Sequence, residues 1–157
     1  MSSRQIELAN AVQEMLNDIK YEDQASHFYF GRIENIEYPF FNIYFGDFSV
    51  EIAEQNRWQE NSPSCVVEFA YSDVTDDEIL YEYADKIVEK LSNGIKYTRR
   101  NISTVIRPQN FSINIVDGYA QVVFDLNYQI DTFIKMDNDN LDKMETLDLN
   151  FENKEEQ

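Results

Sequence analysis

Hydrophobic residues near the start of the chain recur at steps of three or four positions. Residues at this spacing lie on one stripe of an α-helix. The pattern therefore predicts an amphipathic helix over about residues 4–20 that packs by its apolar stripe. The residues on the stripe are Ile6, Ala9, Val12, Leu16 and Ile19.

The segment 38–52, "YPFFNIYFGDFSVEI", instead alternates with a period of two, as a strand with one buried face does. Gly46-Asp47 interrupts the alternation, and a glycine in the first position of a two-residue connection suits a type II′ turn. The segment predicts a hairpin with one apolar and one mixed face, preceded by a strand at 27–34. Its apolar face would carry Phe41, Ile43, Phe45, Phe48, Val50 and Ile52.

The next segment, 53–64, has no hydrophobic period and contains Pro63, so it is predicted to be a loop. It carries the only tryptophan of the chain, Trp58. The following run "CVVEFAY" at 65–71 predicts a central strand, in which the single cysteine is a small buried hydrophobe.

Residues 74–94 carry the clearest local signals for a helix. Thr75 and Glu78 have the spacing of a capping box, and Val74 and Ile79 that of a hydrophobic staple. The helix is predicted to start at Asp76 and to be followed by Gly94 in a left-handed conformation. Its packing face would carry Ile79, Leu80, Tyr83, Ala84, Ile87, Val88 and Leu91.

The segment 95–110 holds the only basic cluster, with a short strand predicted at 102–106. A second hairpin follows, with Asp117-Gly118 as a type I′ turn, and it is expected inside the sheet. Residues alternating on one face of its second strand are Ala120, Val122, Phe124, Leu126, Tyr128 and Ile130.

This order of elements predicts an α+β fold with a mostly antiparallel sheet of about five to six strands packed against two helices. The domain is expected to span residues 1–135. Acids outnumber bases in 136–157 and hydrophobic residues become sparse, so this segment is expected to be a flexible acidic tail.

The net charge of the chain argues against some classes of function. Thirty acids and thirteen bases give a formal net charge of −17, which repels the phosphates of nucleic acids. The N-terminal sequence lacks the apolar core of a signal peptide, and no later segment has the roughly 20 apolar residues of a membrane span. We therefore expect a cytoplasmic place of assembly, no specific nucleic-acid binding and no membrane partner.

The sequence offers little for catalysis, so the protein is expected not to be an enzyme. The one histidine, His27, opens a predicted strand and has no serine elbow to serve. The run "DNDNLD" at 137–142 departs from a calcium loop, because Asp142 stands where that loop requires glycine. No catalytic residue, cofactor or metal site is predicted.

Interface residues are the remaining candidates. Arg57 and Trp58 belong to the residue types enriched at binding hot spots, although Trp58 folding back on its own sheet is an equal alternative. Arg99 and Arg100 could grip a partner's acids, but neutralisation of this domain's own acids is the favoured alternative. Tyr38 and Tyr44 would lie on the mixed face of the first hairpin. These six residues form the predicted interface set.

The layout of residues 1–132 resembles the tail terminator, or tail-completion, proteins of long-tailed bacteriophages. The resemblance rests on an N-terminal helix, "YPFFNIYFGDFSVEI", "NRWQENSPS", "CVVEFAY", "DVTDDEILYEYADKIVEKL" and a closing hairpin. It implies a homo-oligomeric ring, typically a hexamer, in the neck of the virion. Such a ring caps the tail tube protein and meets the head connector.

Two other functions stay open. The acidic surface could mimic nucleic acid, in which case the protein would be a monomeric adaptor or inhibitor of a basic partner. A small enzyme of another type would be marked by a deep pocket with converging polar groups.

Overall fold

The computed structural model describes residues 3–53, 57–99 and 101–133, in two helices and ten strands. In chain order these are α1 (Arg4–Leu16), β1 (His27–Tyr29), β2 (Phe40–Phe45), β3 (Ser49–Ala53), β4 (Arg57–Asn61), β5 (Ser64–Ala70), α2 (Asp77–Ser92), β6 (Ile95–Arg99), β7 (Ile102–Ile106), β8 (Gln109–Val116), β9 (Tyr119–Asp125) and β10 (Gln129–Phe133). The predicted tail, 136–157, lies outside the described residues.

The main sheet has five strands in the order β1-β2-β5-β9-β8. Only β1 runs parallel to its neighbour, β2, and the remaining pairs are antiparallel. Both helices contribute to one core against a single face of this sheet. The α+β prediction of a mostly antiparallel sheet with two helices is therefore confirmed.

Alternation along the central strands builds the core, because every second side chain points toward the helices. On the sheet side the buried residues include Phe41, Ile43, Cys65, Val67, Phe69, Ala120, Val122 and Phe124. The helices supply Leu8, Val12, Leu16, Leu80, Ala84, Ile87 and Leu91.

Two smaller sheets flank the main one. Strands β3, β4 and β10 form an antiparallel sheet in the order β10-β4-β3, which we call the arm. Strands β6 and β7 form an antiparallel pair, and buried Ile95, Tyr97 and Ile106 attach it to the core.

The predicted hairpin at 38–52 is wrong. β2 pairs with β1 and β5, whereas β3 pairs with β4 in the arm. Gly46 lacks the positive φ that a type II′ turn requires, and its amide donates instead to the carbonyl of Ser64 at 2.9 Å. The chain therefore crosses at Gly46-Asp47 from one sheet to another. The predicted loop at 53–64 is also wrong, because Arg57–Asn61 forms the middle strand of the arm.

Helix α1 is shorter than predicted and is turned relative to the predicted stripe. It ends at Leu16, and its buried face is Leu8, Ala9, Val12 and Leu16. Ile6 lies off this face and is 56% exposed. Beyond the helix end, Ile19 is still buried.

Helix α2 has the predicted packing face, but its cap lies one residue later. Asp76 is the N-cap and accepts a 3.1 Å hydrogen bond from the amide of Glu78. The Thr75 hydroxyl instead donates to the carbonyl of Gly118 at 2.8 Å. The staple is wrong as well, since Val74 is 79% exposed.

Two glycine turns are confirmed. Gly94 follows α2 with φ +101°, and Asp117-Gly118 joins β8 to β9 with two positive φ angles, as a type I′ turn requires. The face predicted to run on to Ile130 does not continue, because β9 ends at Asp125 and β10 joins the arm.

Three further strand predictions have mixed outcomes. The strand at 102–106 is confirmed as β7. The strand predicted at 27–34 ends at Tyr29. The second hairpin lies only half inside the sheet, because β9 is central whereas β8 is the last described strand of its order.

Candidate assembly surface

A cleft of about 420 Å³ opens between α1 and the end of β2. Its apolar walls come from Ile6 on α1, Phe45 at the end of β2, Phe48 after the crossover, and Phe30 after β1. Asp47 lies at its edge as an exposed acid. Gln5 and Asn10 of α1 also line the cleft, so its lining is partly apolar and partly polar.

Two of the apolar side chains that line the cleft are largely exposed to solvent. Ile6 is 56% exposed and Phe30 is 50% exposed. The rings of Phe45 and Phe48 meet edge to face with their centres 5.5 Å apart, and the Arg4 guanidinium lies 5.0 Å from the Phe48 ring centre. The second half of the aromatic segment therefore lines a surface cleft in addition to supplying the core.

The arm carries a second exposed apolar position. Val50 and Ile52 point to the same side of β3 because they are two residues apart. Val50 is half-buried, whereas Ile52 is 73% exposed. The apolar side of β3 thus continues past the part that its own domain covers.

Tyr38 and Tyr44 differ in their surroundings. Tyr38 is 36% exposed and its ring packs at 5.6 Å from that of Phe40. Tyr44 is half-buried beside the cleft, and its hydroxyl donates to Glu68 at 2.8 Å. Burial, followed by this hydrogen bond to the carboxylate, raises the pKa of Tyr44 to about 12.

The other predicted interface residues do not form one group. Arg57 is exposed on the arm, where it pairs with Ala53 of β3 and Phe133 of β10. Trp58 follows it in β4, but its side chain lies outside the described part of the structure, as does Arg100.

Arg99 is already paired within its own domain, and its interface role stays a prediction. Its side chain is only 10% exposed and forms ion pairs with Glu7 and Glu60. The favoured alternative, neutralisation of the domain's own acids, is correct for this residue. Burial of a charge requires such pairing, because an unpaired buried ion is strongly destabilising.

The Arg99 pairs belong to a larger buried cluster that joins the arm to the body. Glu60 of β4 lies 3.7 Å from Arg4 of α1 and 3.7 Å from Arg99 of β6. The Tyr128 hydroxyl donates to the same carboxylate at 3.4 Å. Burial, with the nearby negative charge of Glu60, raises the pKa of Tyr97 and Tyr128.

A second buried carboxylate lies on the face of the main sheet opposite the helices. Glu68 is 7% exposed and accepts hydrogen bonds from Asn42 at 3.1 Å, Tyr44 at 2.8 Å and Gln121 at 3.2 Å. Asn42 and Gln121 are its register partners on β2 and β9. Through these hydrogen bonds the Glu68 carboxylate links β5 to β2 on one side and to β9 on the other.

Two groups with possible chemistry, metal-ligand clusters and the thiol of Cys65, can be assessed in the described residues. These residues include no cluster of three or more His, Cys, Asp or Glu side chains placed to hold a metal ion. Burial raises the pKa of the Cys65 thiol well above its usual range, which disfavours the reactive thiolate. His27 lies 3.6 Å from Glu37, and both side chains are largely exposed.

Sequence reasoning missed Ile6, Phe30 and Asp47 as surface residues. Ile6 fits a helical stripe in sequence, and only the rotation of α1 against the sheet places it outside the core.

Among the described helices, neither has the length and apolar character needed to cross a membrane. Comparison with protein-family models and with curated proteins finds no match to this chain.

Proposed function

We propose that the protein is a non-enzymatic structural subunit that assembles with copies of itself into a ring. The observation that carries the proposal is the pair of exposed apolar surfaces on one small domain, the cleft at Ile6 and Phe30 and the arm at Ile52. Apolar side chains that stay exposed together, as those around the cleft do, are candidates for burial against another subunit.

The ring we propose is the tail terminator of a long-tailed bacteriophage. It would cap the finished tail tube and join it to the head connector, and its place would be the neck of the virion. The α+β fold, with one helix at the start of the chain and a second helix after β5, supports this role. The net charge of −17 supports it too, since an acidic ring repels DNA and does not trap it during passage.

Sedimentation velocity across a salt series tests the proposal. Like charges on neighbouring subunits oppose association, and salt screens them over a Debye length of roughly 10 Å at 0.1 M. We therefore expect larger particles as salt rises, approaching a closed ring of a single mass, with annular particles in electron micrographs.

A protein that stays monomeric at every salt and protein concentration would contradict the ring. If that monomer binds a basic DNA-binding protein tightly, the acidic adaptor is the better function. Mass measurement of the native particle separates these two outcomes in one experiment.

A further inference from the structure

We infer that the outer edge of β8 binds an extended segment of a basic partner protein, which adds to the main sheet as a further strand beside α2. On the side that faces α2, the segment would carry aliphatic residues together with Lys or Arg. The inference does not depend on the proposed ring, because it concerns a different protein and residues that belong neither to the cleft nor to the arm.

Strand β8 is the longest of the described strands that have an open side. Among the described residues it bonds only to β9, and it has eight residues, whereas the other outer strand of the main sheet, β1, has three. Edge strands commonly carry charged residues or a proline that prevent further pairing. The β8 sequence, QNFSINIV, has neither, although 27% of the chain is charged. Its register with β9 is regular over 112–116, so this part of the edge is suited to pairing.

The pairing with β9 identifies the backbone groups of β8 that point outward. The Asp117-Gly118 turn joins Val116 to Tyr119, and the residues that flank a two-residue turn form a hydrogen-bonded pair. Bonded and non-bonded pairs alternate along an antiparallel ladder, so Ile113 and Ile115 direct their N–H and C=O groups to the outer side. Two donors and two acceptors are therefore presented to an added strand.

An open groove of about 600 Å³ lies between α2 and β8. Ile113 faces α2, because its register partner on β9, Val122, belongs to the core. Phe111 is two residues away on the same side, and its ring centre lies 5.2 Å from that of Phe124. Val88 of α2 also lines the groove. Aliphatic side chains of an added strand would cover these half-buried residues and remove their remaining apolar surface from water.

The α2 side of the groove is acidic. Asp85 and Glu89 line it, are exposed, and lie four residues apart on the helix, so their like charges are neighbours. Neither belongs to an ion pair within the described part of the chain. The other two charged residues of the groove, Glu82 and Lys86, pair with each other at 3.5 Å. Two negative charges are thus left for a partner's Lys or Arg, whose long apolar stems can pack along the groove.

These charges favour a basic partner over a second copy of this chain. Antiparallel pairing of two β8 edges would bring the two α2 helices together on one side of the joined sheet. Asp85 and Glu89 of one copy would then face the same residues of the other copy, and like charges oppose such a contact. Addition of a strand to an open sheet edge is a general mode of peptide recognition, in which backbone hydrogen bonds supply affinity and alternate side chains supply specificity.

A synthetic peptide of eight residues, the length of β8, provides the first test. It carries Val, Lys, Ile and Lys at alternate positions, with Thr between them and blocked ends. Isothermal titration calorimetry should show that one peptide binds each full-length chain. The same peptide with N-methyl groups on the Val, Lys and Ile residues should not bind. These residues lie opposite Ile113 and Ile115, and methylation removes the donors that they direct to β8.

Charge exchange tests the groove. Asp85→Lys with Glu89→Lys should weaken binding of the Lys peptide by about tenfold or more, because it places like charges together. It should also bind a peptide with Glu in place of Lys more tightly than the wild type does. As the control, Glu14→Lys with Glu22→Lys makes the same change in net charge at two exposed acids that do not line the groove. This control should bind the Lys peptide within about twofold of the wild type at about 0.15 M salt, where distant charges are screened.

Amide hydrogen exchange locates the bound strand. Without peptide, the amides of Ser112 and Asn114 should exchange slowly because they bond to β9, whereas those of Ile113 and Ile115 should exchange rapidly. A saturating amount of the Lys peptide should slow exchange at Ile113 and Ile115 by about tenfold or more.

Each other result overturns the inference. The wild type would fail to bind the Lys peptide, or the methylated peptide or the groove variant would bind as tightly as the matched wild-type complex. Slow exchange at Ile113 and Ile115 without peptide would show that the edge is already covered, by a second copy if the protection rises with protein concentration and by the chain itself if it does not. None of these results bears on the ring, which sedimentation tests separately.

Discussion

Arg99 of β6 and Glu60 of β4 form an ion pair of 3.7 Å in which both side chains are at most 10% exposed. This pair, with Arg4 and Glu7, joins the arm to the body of the domain. The position of the arm, and thus the presentation of Ile52 and Arg57, depends on a cluster of buried charges.

Removal of one residue of this buried ion pair should therefore destabilise the fold. We expect Arg99→Ala to lower the free energy of unfolding by about 3 kcal/mol, because it leaves Glu60 buried with its charge less compensated. Urea denaturation measures the change. As the control, Arg32→Ala should change it by less than about 0.5 kcal/mol, because the Arg32–Glu34 pair is exposed at 86% and 70%.

A similar loss of unfolding free energy in Arg99→Ala and Arg32→Ala would show that the buried cluster does not stabilise the fold. If Arg99→Ala instead changes association strongly and leaves stability unchanged, Arg99 contributes to the contact between subunits.

The two glycines Gly94 and Gly31 separate backbone strain from steric conflict. Both have positive φ, +101° and +97°, so alanine at either position costs about 1–2 kcal/mol of stability. A Cβ at Gly94 would also lie 2.7 Å from Val105 Cγ1, whereas at Gly31 nothing lies within 4 Å. We expect Gly94→Ala to be the more destabilising by about 1 kcal/mol or more in chemical denaturation. Equal losses would mean that the β7 side chain moves away freely.

The cap of α2 can be assigned by substitution. Asp76→Ala should cost about 1 kcal/mol, because the Asp76 side chain accepts from the Glu78 amide, while Asp76→Asn should retain most of the stability. Thermal and urea unfolding of both variants measure the difference. If alanine and asparagine are equivalent at position 76, the side-chain cap does not contribute.

The raised pKa of Tyr44 predicts a pH dependence of stability. The pKa is about 12 in the folded protein and about 10 in the unfolded chain, so the fold favours the protonated phenol. This contribution is complete below pH 10 and is lost as the pH rises toward 12. The difference in unfolding free energy between wild type and Tyr44→Phe should therefore shrink over this range.

Urea denaturation at several pH values measures this difference. In a Glu68→Gln background the pH dependence should become smaller but persist, because burial is the larger cause of the shift and the carboxylate the smaller one. A difference that stays constant with pH in the wild-type background would refute the assignment.

Sequence alone determined the elements whose causes are local. Gly94 and the Asp117-Gly118 turn need backbone angles that few other residues adopt, and α2 carries a long apolar face. Alternation likewise identified β5 and β9 as core strands, because a period of two places every second side chain in the interior.

Only the tertiary structure decided which strands pair. Alternation in 38–52 is equally compatible with a hairpin and with two strands in different sheets, because the pattern specifies faces and not neighbours. The amide of Gly46 bonds to Ser64, and β3 finds its partner in a segment that has no period of its own. The same limit applies to Arg99, whose partner Glu7 lies 92 residues earlier in the chain. Pairing and burial of charge depend on contacts between distant parts of the chain, and the candidate surface is created by those contacts.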